Sequence, residues 1–301
     1  MVVFSQSNIF RNLLQGYDTN FQTLVSAWFL VMIIVVLLCF LVSEITRNYS
    51  QVDKLWSLMP IAYSWITLAN FPSPRLTVMA SLVTIWGLRL SYNFYRKGGY
   101  NIIPWKGEED YRWKIMRETV VLKGRFRFAL FNLFFISLFQ NIVILLFSSP
   151  LLLAALHPEK SMTVIDLVAG IFMLVFIITE TIADNQLFRF HQEKKNAVNG
   201  EKHYNKSLAK GFIAEGLWKY ARHPNFASEQ AIWICFYFFG VAASGKWINL
   251  TLPGPILLIL IFLGSTQLTE SISSGKYPAY ADYKKNVPKF LPRFFKSGLI
   301  N

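Results

Sequence analysis

The chain has 301 residues, of which 53% are hydrophobic and only 16% charged, and its mean hydropathy is +0.36; this is too apolar for an ordinary soluble domain, and a membrane is its natural solvent. Its formal charge of +13 does not point to nucleic acid, because the basic residues are dispersed over loops and no nucleic-acid motif is present; topology and attraction to anionic lipid account for the charge. The cysteines, Cys39 and Cys235, both fall inside apolar runs, which argues against a disulfide framework or a metal site.

A hydrocarbon core about 30 Å thick is crossed by roughly 17–25 apolar residues in a helix. Residues 1–23 are mostly polar, lack a basic n-region, and read as an extracytoplasmic N-terminal segment and not a cleaved signal. The remainder, 24–301, reads as a single all-α, polytopic transmembrane domain with seven spans. In chain order these are Leu24–Val42, Leu55–Phe71, Leu76–Tyr95, Phe126–Leu153, Val164–Ala183, Ala227–Ala243 and Leu252–Leu268. Phe71-Pro72-Ser73-Pro74 supplies the turn between the second and third.

Loops rich in Lys and Arg stay cytosolic. With these spans, 24 lysines and arginines fall on one side and only 4 (Arg11, Arg75, Lys160 and Lys246) on the other. The expected orientation is therefore N-terminus outside and C-terminus cytosolic.

Ionisable residues inside or at the rim of the spans cost at least about 2.5 kcal/mol each at the bilayer centre and usually face a cavity or a partner. They are Arg89, Asp166, Glu180, Asp184, Glu229 and Glu270. Asp166 reads as an interface residue. Glu180 and Asp184, four apart, share one helix face; they are either part of a site or carboxylates that reach loop lysines. The segment Arg222-His223-Pro224-Asn225-Phe226-Ala227-Ser228-Glu229 places a cation, an imidazole, an amide and a carboxylate at the start of a helix. Arg222 offers a fork for phosphate or carboxylate, and Asn225 and Glu229 form a second i, i+4 pair. The competing reading is a helix terminus capped by Asn225, with the basic groups on lipid phosphate.

Asp53-Lys54-Leu55-Trp56-Ser57, Trp86-Gly87-Leu88-Arg89-Leu90, Glu109-Asp110-Tyr111-Arg112-Trp113, Glu180 through Asp184 to Gln186, Arg222-His223-Pro224-Asn225, Tyr277-Pro278-Ala279-Tyr280 and Leu291-Pro292 occur in this order. Together they resemble the steroid 5-alpha-reductase-like superfamily of membrane proteins, in its bacterial-type, largely uncharacterised branch. They are distantly similar to isoprenylcysteine carboxyl methyltransferases.

The resemblance implies a seven-helix membrane enzyme that takes NADPH from the cytosolic side and reduces a carbon-carbon double bond in a lipid or steroid-like enone. It implies cofactor contacts at Arg112, Asp184, Arg222, His223, Asn225, Glu229 and Tyr280. The catalytic residues it implies are Asp53 and Tyr92, with Tyr95 as the rival tyrosine. The soluble dinucleotide glycine fingerprint is absent, so binding has to occur between helices and loops. Two other readings stay open: an S-adenosylmethionine-dependent membrane methyltransferase and a non-catalytic lipid-binding membrane protein. A sterol, a fatty enoyl chain and a polyprenyl group suit the apolar spans equally. The expected location is a bacterial inner membrane or the endoplasmic reticulum, according to source.

Overall fold

A computed structural model describes residues 16–103, 106–198 and 206–292. Residues 1–15 of the expected N-terminal segment, and the expected loop charges Arg11, Lys202, Arg293 and Lys296, lie outside the described residues. Every element among the described residues is helical. Helix α1, Thr19–Thr46, is opened by Asp18, whose carboxylate accepts the Phe21 N–H at 2.8 Å, and closed by Arg47 in the left-handed conformation. Next come α2 (Gln51–Leu55), α3 (Leu58–Asn70) and α4 (Pro74–Arg96). The start of α4 follows directly from sequence: Ser73 accepts the Leu76 N–H and Pro74 occupies the first turn. Helix α5 is Tyr111–Glu118, α6 is Arg125–Leu156 and α7 is Val164–Val198. The chain continues through α8 (Lys206–Lys210), a 3₁₀ turn (Gly216–Lys219), α9 (Pro224–Ser244), α10 (Pro253–Lys276) and α11 (Tyr280–Asn286).

Among the described residues, α1, α6, α7, α9 and α10 are the five helices long and apolar enough to cross a membrane. They leave large apolar side chains such as Leu37, Leu38, Leu41, Phe172 and Ile178 exposed. Hydrocarbon tolerates such surfaces where water does not. Among its described residues the chain is thus all-helical, with the long apolar helices of a multi-pass membrane protein. The expected second span, Leu55–Phe71, contains a helix of only 13 residues, α3, about 20 Å long at 1.5 Å per residue; a break at Trp56-Ser57 separates it from α2. The expected third span lies within α4, 23 residues long; it is long enough to cross, but Arg75, Arg89 and Arg96 make it less apolar.

The chain divides into two compact units, Met1–Gly170 with Cys235–Leu257, and Ile171–Ile234 with Leu258–Asn301. In the first, α3 packs along α4. Gly87 permits the close approach, since a Cβ there would lie 2.7 Å from the Ser57 carbonyl oxygen, and the Ser57 and Ser91 hydroxyls meet at 2.8 Å. Trp28 of α1 stacks on Tyr63 of α3 at 4.4 Å. Residues Asn132–Phe139 of α6 are π-helical, and Asn132 Nδ2 donates to Ser43 Oγ and Glu44 Oε1 of α1. Asp166, expected at the membrane interface, has a partner that sequence did not show. It is buried, and Arg75 closes on it with Nε at 2.8 Å and Nη2 at 3.0 Å. A buried carboxylate needs such a partner.

In the second unit, Phe212, Tyr280, Tyr283 and Val287 form one apolar cluster, and Phe190, Ile213 and Trp218 another.

Candidate functional site

The expected site residues fall into two clusters, one in each unit. In the first unit the Glu109–Trp113 stretch docks residue by residue on Tyr49–Asp53. Glu109 Oε1 accepts the Tyr49 N–H at 2.9 Å, the Asp110 N–H donates to Ser50 Oγ at 2.9 Å, and Trp113 Nε1 donates to Asp53 Oδ2 at 2.9 Å. Asp110 caps α5 through the Arg112 N–H and receives the Arg112 fork, with Nε at 2.9 Å and Nη2 at 2.7 Å. Arg112 is therefore held by a carboxylate of its own helix terminus.

Two neighbouring acids are driven apart by this arrangement. Burial, and then the Asp110 charge, push the Asp53 carboxyl above its ordinary value, against the pull of Arg112 and Trp113. Burial would also raise Asp110, but Arg112 outweighs it and holds Asp110 below its ordinary value. Asp53 is thus the acid that keeps its proton longer, and a protonated carboxyl can donate a hydrogen bond. Tyr92 and Tyr95 do not share its environment. They are 63% and 64% exposed, and the Arg96 guanidinium lies over the Tyr92 ring at 5.7 Å.

In the second unit, α7 holds the loop that precedes α9. Gly216 adopts φ +56°, and a Cβ there would meet the Gln186 amide at 2.4 Å. The space left by glycine lets Gln186 Oε1 accept the Leu217 N–H at 2.9 Å, while Trp218 Nε1 donates to the Ala183 carbonyl at 3.2 Å. The loop ends at Arg222 and His223, whose backbone N–H groups donate to Pro288 and Lys289 carbonyls.

The Arg222 fork finds a carboxylate. Its Nε donates to Glu270 Oε1 at 2.8 Å, and Nη1 donates to the Lys284 and Val287 carbonyls. His223 Nε2 sits 3.0 Å from the same Glu270 oxygen, and Lys284 Nζ lies 3.5 Å from Glu270 Oε2. Glu270 thus ties α10 and the following tail to the start of α9. Tyr280 is buried in the cluster with Phe212 and Tyr283. These residues position α9.

The two i, i+4 pairs expected from sequence meet. Asn225 of α9 donates through Nδ2 to Asp184 Oδ1 of α7 at 3.2 Å. One turn further along each helix lie Glu180 and Glu229, both buried with Asp184, and Trp233 Nε1 donates to Glu229 Oε1 at 3.1 Å. Asn225 does not cap α9, which begins at Pro224. Its Oδ1 is buried and accepts no hydrogen bond among the described residues. An unsatisfied buried acceptor costs roughly 1–3 kcal/mol, so this atom suits the N–H of a bound molecule.

A family model described as a protein of unknown function, DUF1295, matches residues 39–287. The chain belongs to the DUF1295 family. The DUF1295 match spans Asp53, Tyr92, Arg112, Asp184, Arg222, His223, Asn225, Glu229 and Tyr280. An uncharacterized protein of Schizosaccharomyces pombe is 41% identical over 266 residues, covering 84% of this chain and 75% of the yeast protein. No solved structure gives a significant match.

Sequence reasoning singled out Glu270 as ionisable but missed its place as the anchor of Arg222 and His223. It also missed Ser50 and Trp113 as partners of the Asp53 cluster. The signal available was the order of short motifs, which does not say which motif pairs with which.

Proposed function

We propose that this is a seven-span membrane enzyme, N-terminus outside and C-terminus cytosolic, that uses NADPH to reduce a carbon-carbon double bond in a lipid or steroid-like enone. The observation that carries the reading is the buried Asn225 Oδ1, which has no donor among the described residues while the Nδ2 of the same amide is held by Asp184. A primary carboxamide such as that of nicotinamide supplies that donor, so the residues present fit the group at this point. When bound, NADPH supplies the hydride.

The chain's own residues supply position and protons. Asp184 fixes the Asn225 amide, Trp233 fixes Glu229, and Arg222 and His223, anchored on Glu270, set where α9 begins. In the first unit, Asp53 with its raised carboxyl suits the polarising donor to a carbonyl oxygen. Tyr92, which the superfamily resemblance implies as the other proton donor, has the weaker support because of its exposure.

Three buried carboxylates also suit a sulfonium cation, so S-adenosylmethionine is the comparison ligand. Thermal unfolding of the detergent-purified full chain tests the assignment. NADPH at a hundred times its dissociation constant should stabilise the chain by about 2.7 kcal/mol, and Asn225→Ala should abolish the effect while S-adenosylmethionine does nothing. Stabilisation by S-adenosylmethionine alone would replace the reductase by a methyltransferase. Stabilisation by neither would leave a non-catalytic lipid-binding protein.

A further inference from the structure

The first unit holds a cavity of about 350 Å³ that adjoins the Asp53 cluster and shares Tyr49 with it, within the size range of roughly 300–1,000 Å³ typical of ligand pockets. Arg47, Arg117 and Arg125 line it, with Tyr49 and Phe128 as aromatic wall. Arg117 is fixed from three sides. Its Nη2 donates to Glu109 at 2.7 Å, and its guanidinium lies over the Tyr49 ring at 5.0 Å and the Phe128 ring at 5.8 Å. Arg47 Nη1 reaches Glu44 and Tyr49 Oη, each at 3.3 Å. Arg125 has no carboxylate partner among the described residues. Glu118 also lines the cavity, so the three lining guanidiniums exceed the lining carboxylates.

Arg47 is the one non-glycine residue at positive φ, 59°, among the described residues. Glycine would take this helix-ending conformation at lower cost. An arginine there adds a guanidinium to the cavity lining instead. What flanks the cavity in the chain is apolar and exposed: Ile45 at 79%, Val120 at 87%, Val121 at 77% and Phe126 at 74%. Arginine forks match phosphate oxygens, and exposed aliphatic side chains beside a cation cluster match the headgroup boundary of a bilayer.

We infer that this cavity binds the phosphate of an anionic phospholipid headgroup, with Arg125 as the uncommitted cation and Val120, Val121 and Phe126 set into the adjoining acyl region. The site stands independently of the reductase reading. The full-length protein, exchanged into phosphatidylcholine nanodiscs with a tenth of phosphatidylglycerol, would be scored by native mass spectrometry for retained phosphatidylglycerol.

The wild type should keep phosphatidylglycerol preferentially. Arg125→Glu, at an exposed position, should lower its occupancy by ~10-fold or more, and Arg125→Lys should retain most of it. Val120→Ser with Val121→Ser should weaken lipid retention too, which a site for free anions would not require. Equal retention by wild type and Arg125→Glu sinks the proposal. So does displacement of the lipid by millimolar inorganic phosphate in the wild type, which would make this a free-anion site. A third overturning result is loss of NADPH affinity in Arg125→Glu with lipid retention unchanged, which would assign the cavity to the cofactor.

Discussion

Trp113 donates to Asp53 across 60 residues of chain, but burial, and then the Asp110 charge, outweigh this bond and set the behaviour of the acid. Because the Asp53 carboxyl is raised, the folded chain holds this proton more tightly than the unfolded chain does. Its favourable contribution is complete below the unfolded value of about 3.9 and is lost as pH rises through the raised folded value. Asp53→Asn keeps an acceptor for Trp113 and removes the titration. Its melting temperature should therefore improve relative to wild type between pH 4 and pH 8; parallel curves for the two proteins would show that Asp53 ionises normally.

At this scale the sequence was only half legible. Asp53 and Arg222 could be singled out by resemblance and by chemistry. Their partners could not, because Trp113 and Glu270 are brought to them by tertiary packing. Arg222 shows the limit: its fork reads as suited to phosphate or carboxylate, and only the fold shows that a carboxylate 48 residues away meets it.

Helices were more legible than single residues, because hydropathy and caps are local. Ser73 and Pro74, in the expected turn, announce where α4 begins; the start of α1 at Thr19, capped by Asp18, precedes the expected start of the span at Leu24. The break between α2 and α3 went unread although Pro60, in the first turn of α3, lacks the N–H that would bond the Trp56 carbonyl, and it shortens the expected second span. The contact that this break makes with α4 passes through Gly87. Gly87→Ala would put a methyl group 2.6 Å from Ile61 Cδ1 and 2.7 Å from the Ser57 carbonyl. The side chain can turn away but the carbonyl cannot, so a destabilisation of roughly 1–3 kcal/mol is expected. Gly264→Ala is the control. Nothing lies within 4 Å of its Cβ position, and alanine in a helix gains up to about 1 kcal/mol over glycine. Denaturation of both variants in one detergent would compare them; equal stabilities would mean that α3 and α4 are not tightly packed. The π-helical stretch Asn132–Phe139 was invisible from sequence, because its apolar residues fit an α-helix equally well.

For the chain as a whole, the charge asymmetry predicts which loops share a compartment. Lys123→Cys and Lys219→Cys, made one at a time in a chain whose Cys39 and Cys235 are replaced, should react with an impermeant thiol reagent from the cytosolic side only. Lys160→Cys and Lys246→Cys should react from the other. Labelling of the 123 and 219 positions from opposite sides would remove both the topology and the proposed cytosolic cofactor access.

In the first unit the loops that follow α1 and α4 are bonded to each other. Asn48, just past the end of α1, donates to the Gly107 carbonyl beyond the end of α4 at 2.9 Å, and Lys54 Nζ reaches the Lys106 carbonyl at 2.8 Å. The chain therefore leaves the end of α1, runs out through α2 and α3, and comes back through α4 to the place where it started. The ends of α1 and α4 lie together, and the loops that follow them are predicted to share a compartment.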